Sequence, residues 1–81
     1  MLLILSQDGG TLVEMTGKIL GIFTDHTMVN KRYVAYCNDS NGGTIILGYY
    51  ESRDRIIDIF TNIMKTYSLS NKNGATFKMP Y

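Results

Sequence analysis

Apolar residues along this 81-residue chain change their spacing once, near position 52. Before it they come in short runs broken by Gly, Asp and Asn; after it they recur at helical intervals. The first two runs are Leu2-Leu3-Ile4-Leu5 and Thr11-Leu12-Val13-Glu14-Met15, separated by Gln7-Asp8-Gly9-Gly10. Asp-Gly and Gly-Gly supply the positive φ that tight turns demand, so the two runs are predicted to form a β-hairpin. Thr16-Gly17-Lys18 interrupts the pattern. Residues 19–24 then make a third strand, in which Gly21 marks either a bulge or a close backbone approach. Residues 25–31 are polar apart from Met28 and Val29 and read as an exposed loop. In the fourth strand, residues 32–38, Tyr33, Ala35 and Cys37 share one face while Val34 and Tyr36 take the other. Asp39-Ser40-Asn41-Gly42-Gly43 is the clearest turn in the chain. Residues 44–50 follow as a fifth strand, with Ile45, Leu47 and Tyr49 facing away from Ile46, Gly48 and Tyr50.

Ser52 is placed to cap a helix, its hydroxyl accepting from first-turn amides, and Asp54 sits where the helix dipole favours negative charge. Ile56, Ile57, Ile59, Phe60, Ile63, Met64 and Tyr67 fall on one broad stripe, opposite Arg55, Asp58, Asn62, Lys65 and Thr66. The helix is predicted over residues 52–67, and a stripe of that width must be covered by the sheet. Residues 68–75, with Asn71, Asn73 and Gly74, read as a connector. Thr76-Phe77-Lys78-Met79-Pro80-Tyr81 is extended, stopped by the only proline, and suited to add an edge strand to its own sheet or to a neighbouring subunit. The expected fold class is α+β in a single domain: an antiparallel five-stranded meander, one C-terminal amphipathic helix packed on the sheet, and a short terminal strand.

Composition adds an expectation about company. A chain this short leaves roughly a third or more of its unfolded surface exposed, yet 44% of its residues are apolar and they occupy nearly every predicted element. A homo-oligomer is expected, because a symmetric partner covers the second face of a small sheet. The net charge is +1, with cations scattered among acids, which argues against a duplex-DNA footprint. Cys37 is alone, so no internal disulfide forms and a reducing compartment fits best. The opening apolar run is too short for a secretory core or a membrane span, and the expected location is cytoplasmic, without membrane contact. Asn38-Asp39-Ser40 matches a glycosylation acceptor that a cytoplasmic chain never presents to the transferase.

Three motifs together carry a resemblance: Ile4-Leu5-Ser6-Gln7-Asp8-Gly9 near the start, Gly43-Thr44-Ile45-Ile46-Leu47-Gly48-Tyr49-Tyr50 running into Glu51-Ser52-Arg53-Asp54-Arg55, and Met79-Pro80 at the close. With them the chain resembles a group of small proteins of Firmicute genomes, prophages and phages, whose pattern is "ISQDG", then "LGxYxTEERA" leading into a helix, then "MP". Here Glu51-Ser52-Arg53-Asp54-Arg55 replaces a more acidic helix start, and Ile56 stands where small residues are common. The resemblance implies no settled activity. Its phage association implies host-directed inhibition or sequestration.

No complete catalytic, metal or cofactor motif is present. Gly10 and Gly17-Lys18 have six residues between the glycines where a phosphate loop has four, and Ile19 stands where a magnesium-binding hydroxyl is required. His26, the only histidine, reads as a solvated loop residue, since a general base needs a nucleophile or oriented water and a partner for its ring. Cys37 alternates with strand residues and reads as core. Asp54 and Asp58 lie one helical turn apart but lack a third oxygen ligand, and Glu51 with Arg55 is an i,i+4 pair worth only about 0.2–0.5 kcal/mol. No metal and no cofactor are expected.

The six tyrosines carry the binding signal, since a phenol offers both a stacking face and a hydroxyl. Half of them are expected to cover the helix or the sheet edge. Tyr36 and Tyr50 would share a face if the fourth and fifth strands pair as a hairpin. The candidate ligand-binding residues are therefore Tyr36, Tyr50, Arg53, Arg55 and Arg32, with Lys31 nearby, the cations acting as anion contacts near the helix N-terminus. The expected function is non-catalytic binding, phage-linked, that sequesters or inhibits a host component. The target is either a small anionic nucleotide in a pocket between subunits or a host protein, as an inhibitor of a CRISPR effector would engage; a structural or regulatory interaction domain is the third reading.

Overall fold

The Asp8-Gly9 turn closes the first hairpin as its residues require. In the computed structural model, which describes residues 2–39, 41–69 and 74–81, β1 (Leu2–Leu5) pairs antiparallel with β2 (Leu12–Glu14), Ile4 opposite Val13. The Ser6 amide donates to Thr11 O at 2.8 Å, and Gly9 takes φ +76°, a conformation open to glycine without cost. Asp8 Oδ1 accepts from the Ser6 hydroxyl at 2.6 Å and the Gly10 amide at 2.9 Å. Those two donors hold the Asp8 carboxyl below its ordinary value.

The chain then leaves this sheet. Gly17, at φ +74°, turns it through the Lys18 amide to Met15 O bond at 3.0 Å, and β3 (Leu20–Thr24) begins a second sheet. β3 pairs antiparallel with β4 (Tyr33–Asn38), and β4 with β5 (Thr44–Tyr50). Asp39 makes the β4–β5 turn by accepting from the amides of Asn41 and Gly43 at 2.8 and 2.7 Å. α1 (Arg53–Leu69) starts at the expected cap, with the Arg55 amide donating to Ser52 Oγ at 3.1 Å. β6 (Ala75–Lys78) then returns to pair with β1, Ile4 opposite Phe77.

The fold class is α+β, but the five-stranded meander is corrected to two three-stranded sheets, ordered β2-β1-β6 and β3-β4-β5. Only β3 to β5 meander. β1 is a central strand, and its partner β6 runs parallel to it, which requires a long crossover; the second sheet and α1 supply it. The terminal strand thus joins its own sheet. Ser40, and residues 70–73 of the expected connector, lie outside the described residues. No helix among the described residues is long and apolar enough to cross a membrane.

The core lies between the helix and the two sheets, where Ile4, Val13, Ala35, Cys37, Leu47, Tyr50, Ile56, Ile59, Ile63 and Met79 pack together. The helical stripe is narrower than its sequence suggests. Ile56, Ile59 and Ile63 are buried, each stabilising the fold by about 1.5–3 kcal/mol, and Phe60 packs at their margin. Ile57, Met64 and Tyr67 remain exposed, because two small sheets cover only the middle of a broad helical face.

A bulge decides which side chains of β5 enter that core. Ala35 lies opposite Gly48, but Tyr36 lies opposite Ile46, so Leu47 is an extra residue and the inside-outside alternation shifts by one. Ile45, Leu47 and Tyr50 therefore face inward together, and Tyr49 turns outward. Tyr36 and Tyr50 lie on opposite faces of the sheet, which corrects the expected pairing of the two rings. Gly21 is no bulge. A Cβ there would lie 2.6 Å from the tip of the Tyr36 ring, so its bare backbone makes room for that ring on the outer face.

Candidate functional site

The end of β5 and the first turn of α1 form one wall of a groove of about 330 Å³, lined by Tyr49, Tyr50, Glu51, Ser52 and Arg55 together with Lys31 and Tyr81. Lys31 and Glu51 also line a shallower depression of about 510 Å³ beside Val29, Asn30 and Arg32. The loop before β4 brings Lys31 here in a left-handed backbone conformation, φ +51°, that residues with a Cβ adopt uncommonly. Tyr81 arrives from the other direction, because β6 carries the chain end along β1 and past the start of the helix. Arg55 Nη2 donates to Tyr81 O at 3.1 Å, and Lys78 Nζ stands 5.6 Å from the centre of the Tyr81 ring.

Two of the expected ligand-binding residues, Tyr50 and Arg55, meet in this groove, and Arg32 lies in the adjoining depression. Tyr50 is wall rather than stacking platform: it is 2% exposed, and its hydroxyl donates to Pro80 O at 2.6 Å. Burial pushes its hydroxyl pKa up to about 12. Arg53 is exposed at the first helical position and lines neither depression. Tyr36 is placed elsewhere, on the outer face of the second sheet, its ring 5.4 Å from that of Phe23. Sequence reasoning about the site missed Tyr49 and Tyr81 and gave Lys31 a secondary place. Tyr49 is hidden by the bulge, and Tyr81 by a contact that spans most of the chain.

The three motifs that carry the resemblance meet at one point beside the groove. The Gln7 amide donates to Leu47 O at 2.7 Å, and the Gln7 side chain pairs with the Tyr49 backbone, Nε2 to Tyr49 O at 3.1 Å and Tyr49 N to Oε1 at 3.0 Å. Gln7 Nε2 also donates to Pro80 O at 3.3 Å. Lys78 Nζ donates to the carbonyls of Ser6 and Gln7, each at 2.8 Å, and Met79 N to Leu5 O at 2.9 Å. Gly48 is required here, since a Cβ would meet the Tyr50 ring at 2.8 Å and Gln7 Cβ at 3.0 Å. Ser6-Gln7-Asp8, Gly48-Tyr49-Tyr50 and Met79-Pro80 thus lock the two sheets and the chain end together.

The two residues weighed for nucleophilic chemistry, His26 and Cys37, lie in different surroundings. His26 is exposed in its loop and Cys37 is fully buried, with burial pushing its thiol pKa up. Asp25 accepts from the Thr27 amide and hydroxyl at 3.0 and 2.5 Å, which lower its pKa and tie it to the turn. Among the described residues no cluster of three His, Cys, Asp or Glu side chains is placed to hold a metal ion. A larger apolar groove of about 650 Å³ opens at the other end of α1, between Leu2, Met15, Leu20, Ile63, Met64 and Tyr67.

No known protein family, curated protein or solved structure matches this chain.

Proposed function

We propose that the chain is a non-catalytic, homo-oligomeric binding protein that holds a small anionic aromatic ligand, of the nucleotide class, in the groove at the start of α1. The observation that carries this reading is the convergence of Lys31 and Arg55 with the accessible rings of Tyr49 and Tyr81 around one helix N-terminus. Cations and a helix start favour phosphate, and phenol rings favour a base. The volume, about 330 Å³, falls at the small end of the range for ligand pockets, roughly 300–1,000 Å³. Joined to the resemblance, this gives a phage-linked protein that sequesters a host nucleotide signal stoichiometrically.

Thermal melting against a panel of mono-, di- and cyclic nucleotides tests it. At least one nucleotide is expected to raise the melting temperature, and Lys31→Ala or Arg55→Ala to weaken that nucleotide about tenfold or more. Unchanged melting with every nucleotide would contradict the reading. A second reading, inhibition of a host protein such as a CRISPR effector, is favoured by the aromatic outer face bearing Phe23, Tyr36 and Tyr49. Retention of that enzyme by the immobilised protein, lost in Phe23→Lys, is its expected signature.

A further inference from the structure

The strand edges of this molecule differ in how well they are guarded. A free edge presents unpaired amides and carbonyls to any other strand, and proteins blunt such edges with charge, proline, bulges, shortness or a covering segment. The outer edge of β5 is covered by Gln7. β2 is three residues long and ends on Glu14, and β6 carries Lys78. Among the described residues β3 has none of these: Leu20-Gly21-Ile22-Phe23-Thr24 is regular, uncharged and hydrogen-bonded to β4 along one side only.

The hydrogen bonds flanking β3 reveal which of its groups point away from the sheet. Asn38 N donates to Ile19 O at 3.3 Å and Asp25 N to Arg32 O at 2.7 Å, so the odd-numbered residues of this strand address β4. In an antiparallel ladder the direction alternates, and the backbone groups of Leu20, Ile22 and Thr24 therefore face the open edge. We infer that this edge pairs with β3 of a second copy of the chain, antiparallel about a two-fold axis at Ile22, joining the two β3-β4-β5 sheets into one six-stranded sheet. The inference rests on the homo-oligomeric part of the function proposed above and is independent of the nucleotide.

Three features favour a second copy over an unrelated strand. The register centred on Ile22 uses all three outward-facing residues, Leu20 opposite Thr24 of the partner subunit and Ile22 opposite Ile22 of the partner subunit. It also sets Gly21 opposite Phe23 of the partner subunit. The Tyr36 ring already lies over Gly21 and against Phe23 of its own chain, and Phe23 is 40% exposed, so four rings meet across the seam. The surface accounts agree: the chain exposes 5340 Å², whereas a compact monomer of 9.1 kDa exposes about 4,900 Å². β5, which bears Tyr49 and Tyr50 of the groove, lies across β4 from the seam, so the groove stays open.

Sedimentation combined with residue-resolved amide exchange on the full chain tests the pairing. The expected result is twice the 9.1 kDa mass, with the Leu20, Ile22 and Thr24 amides slowed at least roughly tenfold on concentration, alongside the already slow Gly21, Phe23 and Asp25. Phe23→Lys is expected to raise the dimer dissociation constant about tenfold or more while the odd-numbered amides stay slow, reporting an intact fold. A dimer in which Leu20, Ile22 and Thr24 exchange freely would overturn this seam and leave self-association standing. A chain that stays at monomer mass at high micromolar concentration would overturn both, and neither outcome touches the nucleotide titration.

Discussion

β5 and β3 are the two outer strands of one sheet, and their free edges are treated in opposite ways. Along β5, Gln7 imitates a neighbouring strand: its backbone amide meets Leu47 O, and its carboxamide meets both the amide and the carbonyl of Tyr49. Along β3, three residues direct their backbone groups outward from an uncharged, regular strand. The contrast shows where a thin fold spends its polar side chains. Gln7, Lys78 and Pro80 close the junction of the two sheets, where an unpaired group would be half-buried and costly. Among the described residues no side chain or strand covers the opposite margin.

Removing the guard should make the two edges alike. Gln7→Ala deletes three side-chain hydrogen bonds and uncovers Tyr49, at an expected cost of about 2–3 kcal/mol in urea unfolding. Light scattering should then report assemblies beyond the wild-type size, since β5 becomes a second open edge. Gly21→Ala acts on the other side of the sheet. The new methyl would sit 2.6 Å from the Tyr36 ring, so the ring must swing away from Phe23, at about 1–2 kcal/mol and with weaker self-association.

Tyr50→Phe sharpens the account of the closed side. It removes the bond to Pro80 O and should cost about 0.5–1.5 kcal/mol at neutral pH. The folded state keeps the Tyr50 proton to about pH 12, against an ordinary value of 10.0. The stability this supplies is complete below pH 10 and is lost as pH rises toward 12, so the phenylalanine variant should unfold less steeply over that interval. The smallest effect concerns Asp8, whose carboxyl is held below its ordinary 3.8 by Ser6 and Gly10. Its contribution is complete above that value and is lost as pH falls through the lowered one. Asp8→Asn should lower the neutral plateau slightly and flatten the acid limb of the stability curve, so that the variant and the wild type converge at low pH.

Much of the local structure was legible in the residues. Gly9 and Gly42 announced their turns because few other residues reach a positive φ, Asp8 and Asp39 because their carboxylates suit the turn amides, and Ser52 announced the helix start because its hydroxyl suits the free amides. Long-range matters were hidden. Nothing local indicates that β6 lies beside β1, yet that pairing makes two sheets from an expected meander and carries Tyr81 to the groove. The bulge at Leu47 was equally silent, and it alone separates Tyr50 from Tyr36 and turns Tyr49 outward. Arg55 and Tyr50 were chosen for proximity to the helix start and do line the groove; Tyr36 was chosen for a face it does not share.

The central claim is that one edge of the β3-β4-β5 sheet is sealed within the chain and the other is not, and residue-resolved amide exchange at Tyr49 and Ile22, in dilute and concentrated samples, tests it most directly. Tyr49 is expected to exchange slowly at both concentrations, and Ile22 to exchange quickly when dilute and slowly when concentrated. A fast Tyr49 amide in the wild-type protein, or an Ile22 amide already slow in the dilute monomer, would contradict it.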